Sequence, residues 1–174
     1  LNIIFPILTG TYVARVLDKT YYGYFNSVDT ILSFFLPFAT FGVYTYGLRA
    51  ISNVRDNKNK TNKVFSQLFY LCMFCTIVTT AIYFATYNLF FENNPTLKKI
   101  YLVMGVQLVA QIFSIEWVNE ALENYSFLFY KTAVIRILML ISIFAFVKDE
   151  HDIIIYTLIM ALSTALNYVI SYFW

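Results

Sequence analysis

Residues 65–91 read FSQLFYLCMFCTIVTTAIYFATYNLFF, from Phe65 to Phe91, without one Asp, Glu, Lys, Arg or His. As a helix rising about 1.5 Å per residue, this run is roughly 40 Å long, longer than the hydrocarbon core of a bilayer at about 30 Å. Inside lipid every backbone N–H and C=O must be bonded within the protein, which leaves helices or closed barrels. Barrel strands alternate apolar and polar residues over about 10 positions. This run is continuously apolar, so it predicts a membrane-spanning helix.

The same pattern recurs outward from that stretch. Tyr24 to Tyr46 holds Asp29 as its one charged residue, and Ile100 to Ile115 holds none. Phe127 to Val147 holds Lys131 and Arg136, and Ile153 to Trp174 holds no charge. A shorter apolar run, Leu1 to Val13, opens the chain. The reading is an all-α polytopic transmembrane bundle of about six helices, near 1–13, 24–47, 65–91, 100–118, 127–147 and 153–174. Composition agrees: 60% of the 174 residues are hydrophobic and 13% charged, against about 45–50% and about 25% in soluble domains. Both ends fall in apolar runs, so the expectation is a chain truncated at both ends. A signal peptide is disfavoured because no basic leader or small-residue cleavage site is visible.

Short polar stretches separate the runs. Arg49 to Lys63 (RAISNVRDNKNKTNK) carries five basic residues, and Glu92 to Lys99 (ENNPTLKK) contains the helix breaker Pro95. Glu116 to Ser126 is acidic, and Lys148 to Asp152 (KDEHD) is a charged turn. None is long enough for a soluble domain. Basic residues concentrate in cytoplasmic loops. The cluster from Arg49 to Lys63, with Lys131 counted on the same side, therefore puts 49–63, 116–126 and the N-terminal side in the cytoplasm. The many Tyr and Phe near run ends read as interfacial belts.

Little catalytic chemistry is legible. His151 is the one histidine and lies in the charged turn; no phosphate-binding G-x-x-x-x-G-K-[ST] loop occurs. Cys72 and Cys75 form a C-x-x-C within an apolar run with no second pair, and read as packing residues. No metal site, cofactor, nucleic-acid partner or enzyme activity is expected. The informative residues are charges at membrane depth, which are costly and ordinarily face a bundle interior or a water-filled cavity. Arg136 lies about 13 Å into its run. Asp29 sits inside the second run, while Arg15 and Arg49 end the first and second. Glu116 and Glu120, four apart, share a helix face. Pro37 and Gly42 are candidate bend points in the second run.

Four stretches together resemble a known family. Pro6 to Leu17 (PILTGTYVARVL) followed by Tyr22-Gly23-Tyr24-Phe25 is similar to the opening of Wzx-type polysaccharide flippases, within the superfamily of multidrug, oligosaccharidyl-lipid and polysaccharide exporters. Phe41 to Ile51 (FGVYTYGLRAI) with Val54-Arg55-Asp56 resembles the Tyr-Gly, Arg and Arg-Asp series closing their second helix. Ile115 to Tyr125 (IEWVNEALENY) resembles their Trp-centred inner loop, and Arg136, Phe146-Val147-Lys148 and the acidic turn complete the order. Asp18, Tyr21 and Ala121 stand where that family has glycine.

The resemblance implies a two-lobe transporter of which residues 1–174 form the N-terminal lobe. It implies flipping of an undecaprenyl-diphosphate-linked oligosaccharide repeat unit across the plasma membrane for capsule- or O-antigen-like polysaccharide. The implied partners are the lipid-linked oligosaccharide, the bilayer, a polysaccharide polymerase and a chain-length regulator. Arg15, Arg49 and Arg136 become candidate substrate-binding residues, since a guanidinium binds two phosphate oxygens at once. Asp29, Glu116 and Glu120 become candidate coupling or gating residues, with Glu116 and Glu120 expected to meet Arg49 or Arg55. The alternatives are a drug or metabolite exporter, whose cavity would be acidic, and a membrane-embedded polysaccharide polymerase, which would need a large outer loop. A non-transporting scaffold or sensor bundle would give no reason for Arg136 at mid-depth.

Overall fold

The computed structural model describes residues 4–87 and 94–173, with side chains from Thr9 onward. The first three residues of the expected helix 1–13, the end of the expected helix 65–91 beyond Tyr87, and Trp174 lie outside the described residues. Everything regular among the described residues is helical. Six segments follow one another: α1 (Ile4–Val16); α2 (Lys19–Thr40) with α3 (Val43–Ser52); α4 (Lys58–Ala85); α5 (Pro95–Ala110) continued by a 3-10 turn (Gln111–Phe113) and α6 (Glu116–Ala121); α7 (Tyr125–Phe146); and α8 (Ile153–Phe173). The five segments from Lys19 onward are each long and apolar enough to cross a membrane. The bundle is an all-α, multi-pass membrane fold.

Two spans are broken, and the sequence explains one directly. Pro37 removes an intrahelical hydrogen bond. Phe41 and Gly42 then both take left-handed backbone angles, φ 45° and φ 71°, and the Phe41 N–H returns to the Pro37 carbonyl. The expected bend is a break between α2 and α3. The second break, at Gln111–Ile115, had no proline or glycine to announce it.

Helix boundaries differ from the hydropathy reading where polar residues act as caps. Asn57 accepts from the Lys60 N–H at 3.1 Å, so α4 begins inside the stretch expected to be loop. Pro95, expected to break a helix, is its first residue instead: its missing N–H is one that a first turn leaves unbonded anyway. Asn94 caps the Thr96 and Leu97 N–H groups at 3.1 and 3.2 Å. The acidic stretch after Ile115, also expected as loop, contains α6.

One core runs through most of the bundle, with Val28 and Leu32 of α2, Tyr83 of α4, Met104 and Leu108 of α5 and Ile143 of α7 fully buried or nearly so. A second, smaller core surrounds Trp117 of α6 with Val43, Ile51, Leu68 and Cys72. Cys72 is thus a packing residue, and Cys75 is half-buried. α5 sits centrally, against α2, α4 and α8. Apolar side chains such as Phe129, Val134, Leu138 and Ile141 of α7 point outward, as a lipid-facing surface requires.

Main-chain and ionic contacts fix which loops share an end. Arg55 pairs with Glu123, so the turns after α3 and after α6 lie together. Asp18 N–H donates to the Glu150 carbonyl at 3.4 Å and Tyr12 Oη to the Val147 carbonyl at 2.9 Å, joining the α1–α2 and α7–α8 turns at the opposite end.

Candidate functional site

A cavity of about 420 Å³ opens between α1, α2, α7 and α8, with Glu116 of α6 at one end. Its α7 wall is Thr132, Ile135, Arg136 and Met139, spaced as one helix face. Its α8 wall runs Tyr156, Met160, Ser163, Thr164, Asn167 and Tyr168, again one face, about 17 Å long between Tyr156 and Asn167 at 1.5 Å per residue. Thr9 and Gly10 of α1 and Tyr22 of α2 complete it. The lining mixes hydroxyl, amide and tyrosine groups with the apolar Ile135, Met139 and Met160, and carries two charged groups among the described residues.

Those two charges differ in state. Arg136, midway along α7, is half-buried on the cavity wall, and among the described residues its guanidinium makes no hydrogen bond or ion pair. Glu116 is engaged: its Oε1 accepts from Lys131 Nζ at 2.7 Å and from Asn167 Nδ2 at 3.1 Å. Lys131 is the more deeply buried cation, its side chain 2% exposed. Besides Glu116 it donates to the Asn167 carbonyl at 3.0 Å and to Ser171 Oγ. The Lys131–Glu116 pair therefore cancels within itself, and the net charge that faces the cavity is Arg136.

The other candidate residues are placed elsewhere. Arg15 and Arg49 are exposed and do not line this cavity. Asp29 is on the exposed face of α2, in register with Asn26 and Ser33. The acidic residues of the α6 segment do not take the partners expected of them. Glu120 accepts from Tyr44 Oη at 2.6 Å, and Glu116 takes Lys131. Arg55 goes instead to Glu123, and Arg49 meets none of the three. The physical reason is the break at Gln111–Ile115: it starts a new short helix at Glu116, so the three carboxylates turn toward α7, α3 and the α3–α4 turn in succession.

The multi-pass membrane bundle thus holds a Lys131–Glu116 ion pair, an arginine unpaired among the described residues, and a cavity of mixed polar and apolar lining. The model of the family described as "Polysaccharide biosynthesis protein" matches residues 1–174. The chain belongs to the polysaccharide biosynthesis protein family. This membership agrees with the flippase resemblance carried by the four motifs. Among curated proteins, the chain is 22% identical over 154 residues to a protein of Escherichia coli (strain K12) named "Putative O-antigen transporter", covering 88% of this chain and 37% of that relative. The chain thus spans well under half the length of that relative. No solved structure matches it significantly.

Lys131, Asn167 and Ser171 were not legible as site residues of this family member. Lys131 lies near the start of its run, where a lysine reads as an anchor reaching for the interface. A signal did exist for α8: Tyr156, Ser163, Thr164, Asn167, Tyr168 and Ser171 recur on one face of an otherwise apolar run.

Proposed function

We propose that this chain forms one wall of the pathway in a plasma-membrane transporter that moves a lipid-linked oligosaccharide, carried on a polyprenyl diphosphate, from the inner to the outer leaflet. The observation that carries the reading is Arg136: a guanidinium held at mid-depth, in no ion pair among the described residues, on a wall that mixes hydroxyls, an amide and tyrosines with Ile135, Met139 and Met160. An arginine near the bilayer centre costs about 2.5–3.5 kcal/mol on insertion scales, and an anionic ligand reached in transport offsets that. A planar fork suits a phosphate, and hydroxyl and amide groups suit a glycan. No covalent step on the substrate is involved.

The same charge pattern weighs against an exporter of cationic drugs. That reading needs a free carboxylate on the wall, and Glu116 is neutralised by Lys131. The exposed polar face of α2, with Asn26, Asp29 and Ser33, fits a second wall of the same aqueous pathway, because a carboxylate at membrane depth faces water or protein and not lipid. On this reading Asp29 remains the candidate for coupling, and Glu120, held by Tyr44, a candidate for gating. The name of the Escherichia coli relative fits this assignment; a polymerase and a chain-length regulator acting on the product at the outer face are the partners the proposal implies. The end carrying Arg49 to Lys63 is assigned to the cytoplasm.

The test is complementation of a cell lacking its lipid-linked oligosaccharide flippase. The full-length gene restores surface glycan and clears the accumulated lipid-linked precursor, while residues 1–174 alone do not. Precursor that stays at its uncomplemented level with the full-length protein in the membrane overturns the assignment, and restoration by residues 1–174 alone overturns the two-lobe reading.

A further inference from the structure

The end of the cavity nearest the Arg55–Glu123 pair is closed by four polar residues from three helices. Lys131 reaches in from α7, Glu116 from α6, and Asn167 and Ser171 stand one turn apart on α8. An ammonium has three donors and no acceptor. Here each donor has an oxygen: the Glu116 carboxylate at 2.7 Å, the Asn167 main-chain carbonyl at 3.0 Å, and the Ser171 hydroxyl. A carboxylate, a carbonyl and a hydroxyl, converging from separate helices beside a break in one of them, are the ligand types that hold alkali cations in membrane transporters. The side-chain amide of Asn167 is fixed by the same carboxylate, which can only accept: Nδ2 faces Glu116 at 3.1 Å. That leaves Asn167 Oδ1 buried without a partner, a fourth oxygen beside the site that nothing within the described residues uses.

We infer that Glu116, Asn167 and Ser171 form a monovalent-cation site that the protein fills permanently with its own Lys131 ammonium. The consequence concerns coupling. While Lys131 is seated, the one carboxylate that the described residues place on the cavity wall is neutralised by a cation tethered to the chain. A mobile alkali ion therefore has no place there, and Glu116 does not exchange one as the cavity opens and closes. Take the amine away and the oxygens remain, held by α6 and α8, with a net negative charge at the size and depth of an alkali-ion site. The cation site itself is independent of what the cavity carries, and only the consequence for coupling rests on the transport reading.

The experiment uses the intact protein in detergent, with Na⁺ and K⁺ as probes. Thermal unfolding is followed in NaCl, KCl and choline chloride at equal ionic strength for the wild type, Lys131→Ala, and Lys131→Ala combined with Glu116→Gln. The lysine variant is expected to unfold at a lower midpoint than wild type in choline. Na⁺ or K⁺ then raises that midpoint saturably, by more than it moves the wild type. The double variant, lacking the carboxylate, shows no such rise. The inference is overturned if neither cation moves Lys131→Ala more than wild type, or if the double variant responds as strongly as the single one. Lys131→Met, which keeps most of the side-chain volume, is read in the same way where the alanine variant does not survive solubilisation. If neither single variant survives it, membrane abundance decides: Lys131→Met must be raised by added Glu116→Gln, and no recovery overturns the inference.

Discussion

Tyr83 and Tyr101 bond each other's main chain. Tyr83 Oη donates to the Tyr101 carbonyl at 2.9 Å, and Tyr101 Oη to the Tyr83 carbonyl at 2.9 Å. Their rings lie parallel, 2° apart in tilt, with centroids at 4.0 Å. Both are fully buried, and the exchange clasps α4 to α5 close to the end opposite the Arg55–Glu123 pair. Interhelical hydrogen bonds in membranes contribute about 0.6 kcal/mol on average and about 1.7 at most. Tyr83→Phe and Tyr101→Phe should each destabilise by an amount in that range. The double variant should cost less than or more than their sum, because the two bonds share one geometry. Denaturant unfolding of the four proteins measures this, and strict additivity would show that the bonds act independently.

Gly47 gives a steric prediction with an internal control. A Cβ there would meet the ring of buried Trp117 at 2.5 Å, whereas one at Gly23 meets nothing within 4 Å. The indole is clamped in the second core by Val43, Ile51 and Leu68 and cannot swing clear. Overpacking of this kind costs about 1–3 kcal/mol. Gly47→Ala should reduce membrane abundance and Gly23→Ala should not. Equal abundance of the two would show that α3 and α6 shift apart freely.

The contrast between Arg136 and Lys131 shows what hydropathy conveys. Number, type and order of the helical segments were legible because lipid forces backbone bonding into long apolar runs, and most charges fall in the turns between them. Arg136 stood out because it broke that rule in mid-run. Lys131 did not, because its environment is set by Ser171, forty positions away on α8, and by a helix break at Gln111–Ile115 that no proline or glycine marks. The caps Asn57 and Asn94 moved two helix starts into stretches that looked like loop, since hydropathy registers lipid contact and not hydrogen bonding at a helix end.

The turn between α7 and α8 offers a pH test. Asp152 accepts the Lys148 and Asp149 N–H groups at 3.0 and 2.9 Å, and these bonds hold its carboxyl below the ordinary 3.8. A lowered carboxylate pKa means the stabilisation is complete above about pH 4 and is lost as pH falls through the folded value. Amide exchange at Lys148 and Asp149, corrected for intrinsic rate, should stay flat from pH 5 to 8 and rise in Asp152→Ala. Protection unchanged in the alanine variant would show that the turn is held by other contacts.

Orientation rests on the five basic residues from Arg49 to Lys63, and the structure supplies matched probes for the two ends. Asn59 is exposed at the start of α4, on the side of the Arg55–Glu123 pair, and Glu150 is exposed in the opposite turn. With Cys72 and Cys75 replaced, Glu150→Cys should react with a membrane-impermeant thiol reagent in intact cells. Asn59→Cys should react only after the cells are opened. The reverse pattern inverts the bundle.

Arg136 carries the transport assignment, and its surroundings separate a ligand role from a structural one. A buried arginine that is part of an ion pair leaves its acid uncompensated when truncated, at a cost of about 3–5 kcal/mol and with it the protein's abundance. No acid pairs with Arg136 among the described residues; the wall's carboxylate belongs to Lys131. Arg136→Ala in the full-length protein should therefore leave membrane abundance unchanged. A hydrogen bond to a charged group contributes about 1.5–3 kcal/mol, so losing one to a diphosphate should cut oligosaccharide transfer roughly ten- to a hundredfold, with surface glycan falling accordingly. Arg136→Lys should keep part of the activity, because the charge remains while the two-pronged geometry is lost. The readouts are immunoblotting of membranes, surface glycan, and accumulation of the lipid-linked precursor. Reduced abundance in the alanine variant would make Arg136 a structural cation, and normal abundance with normal glycan would remove it from the pathway altogether.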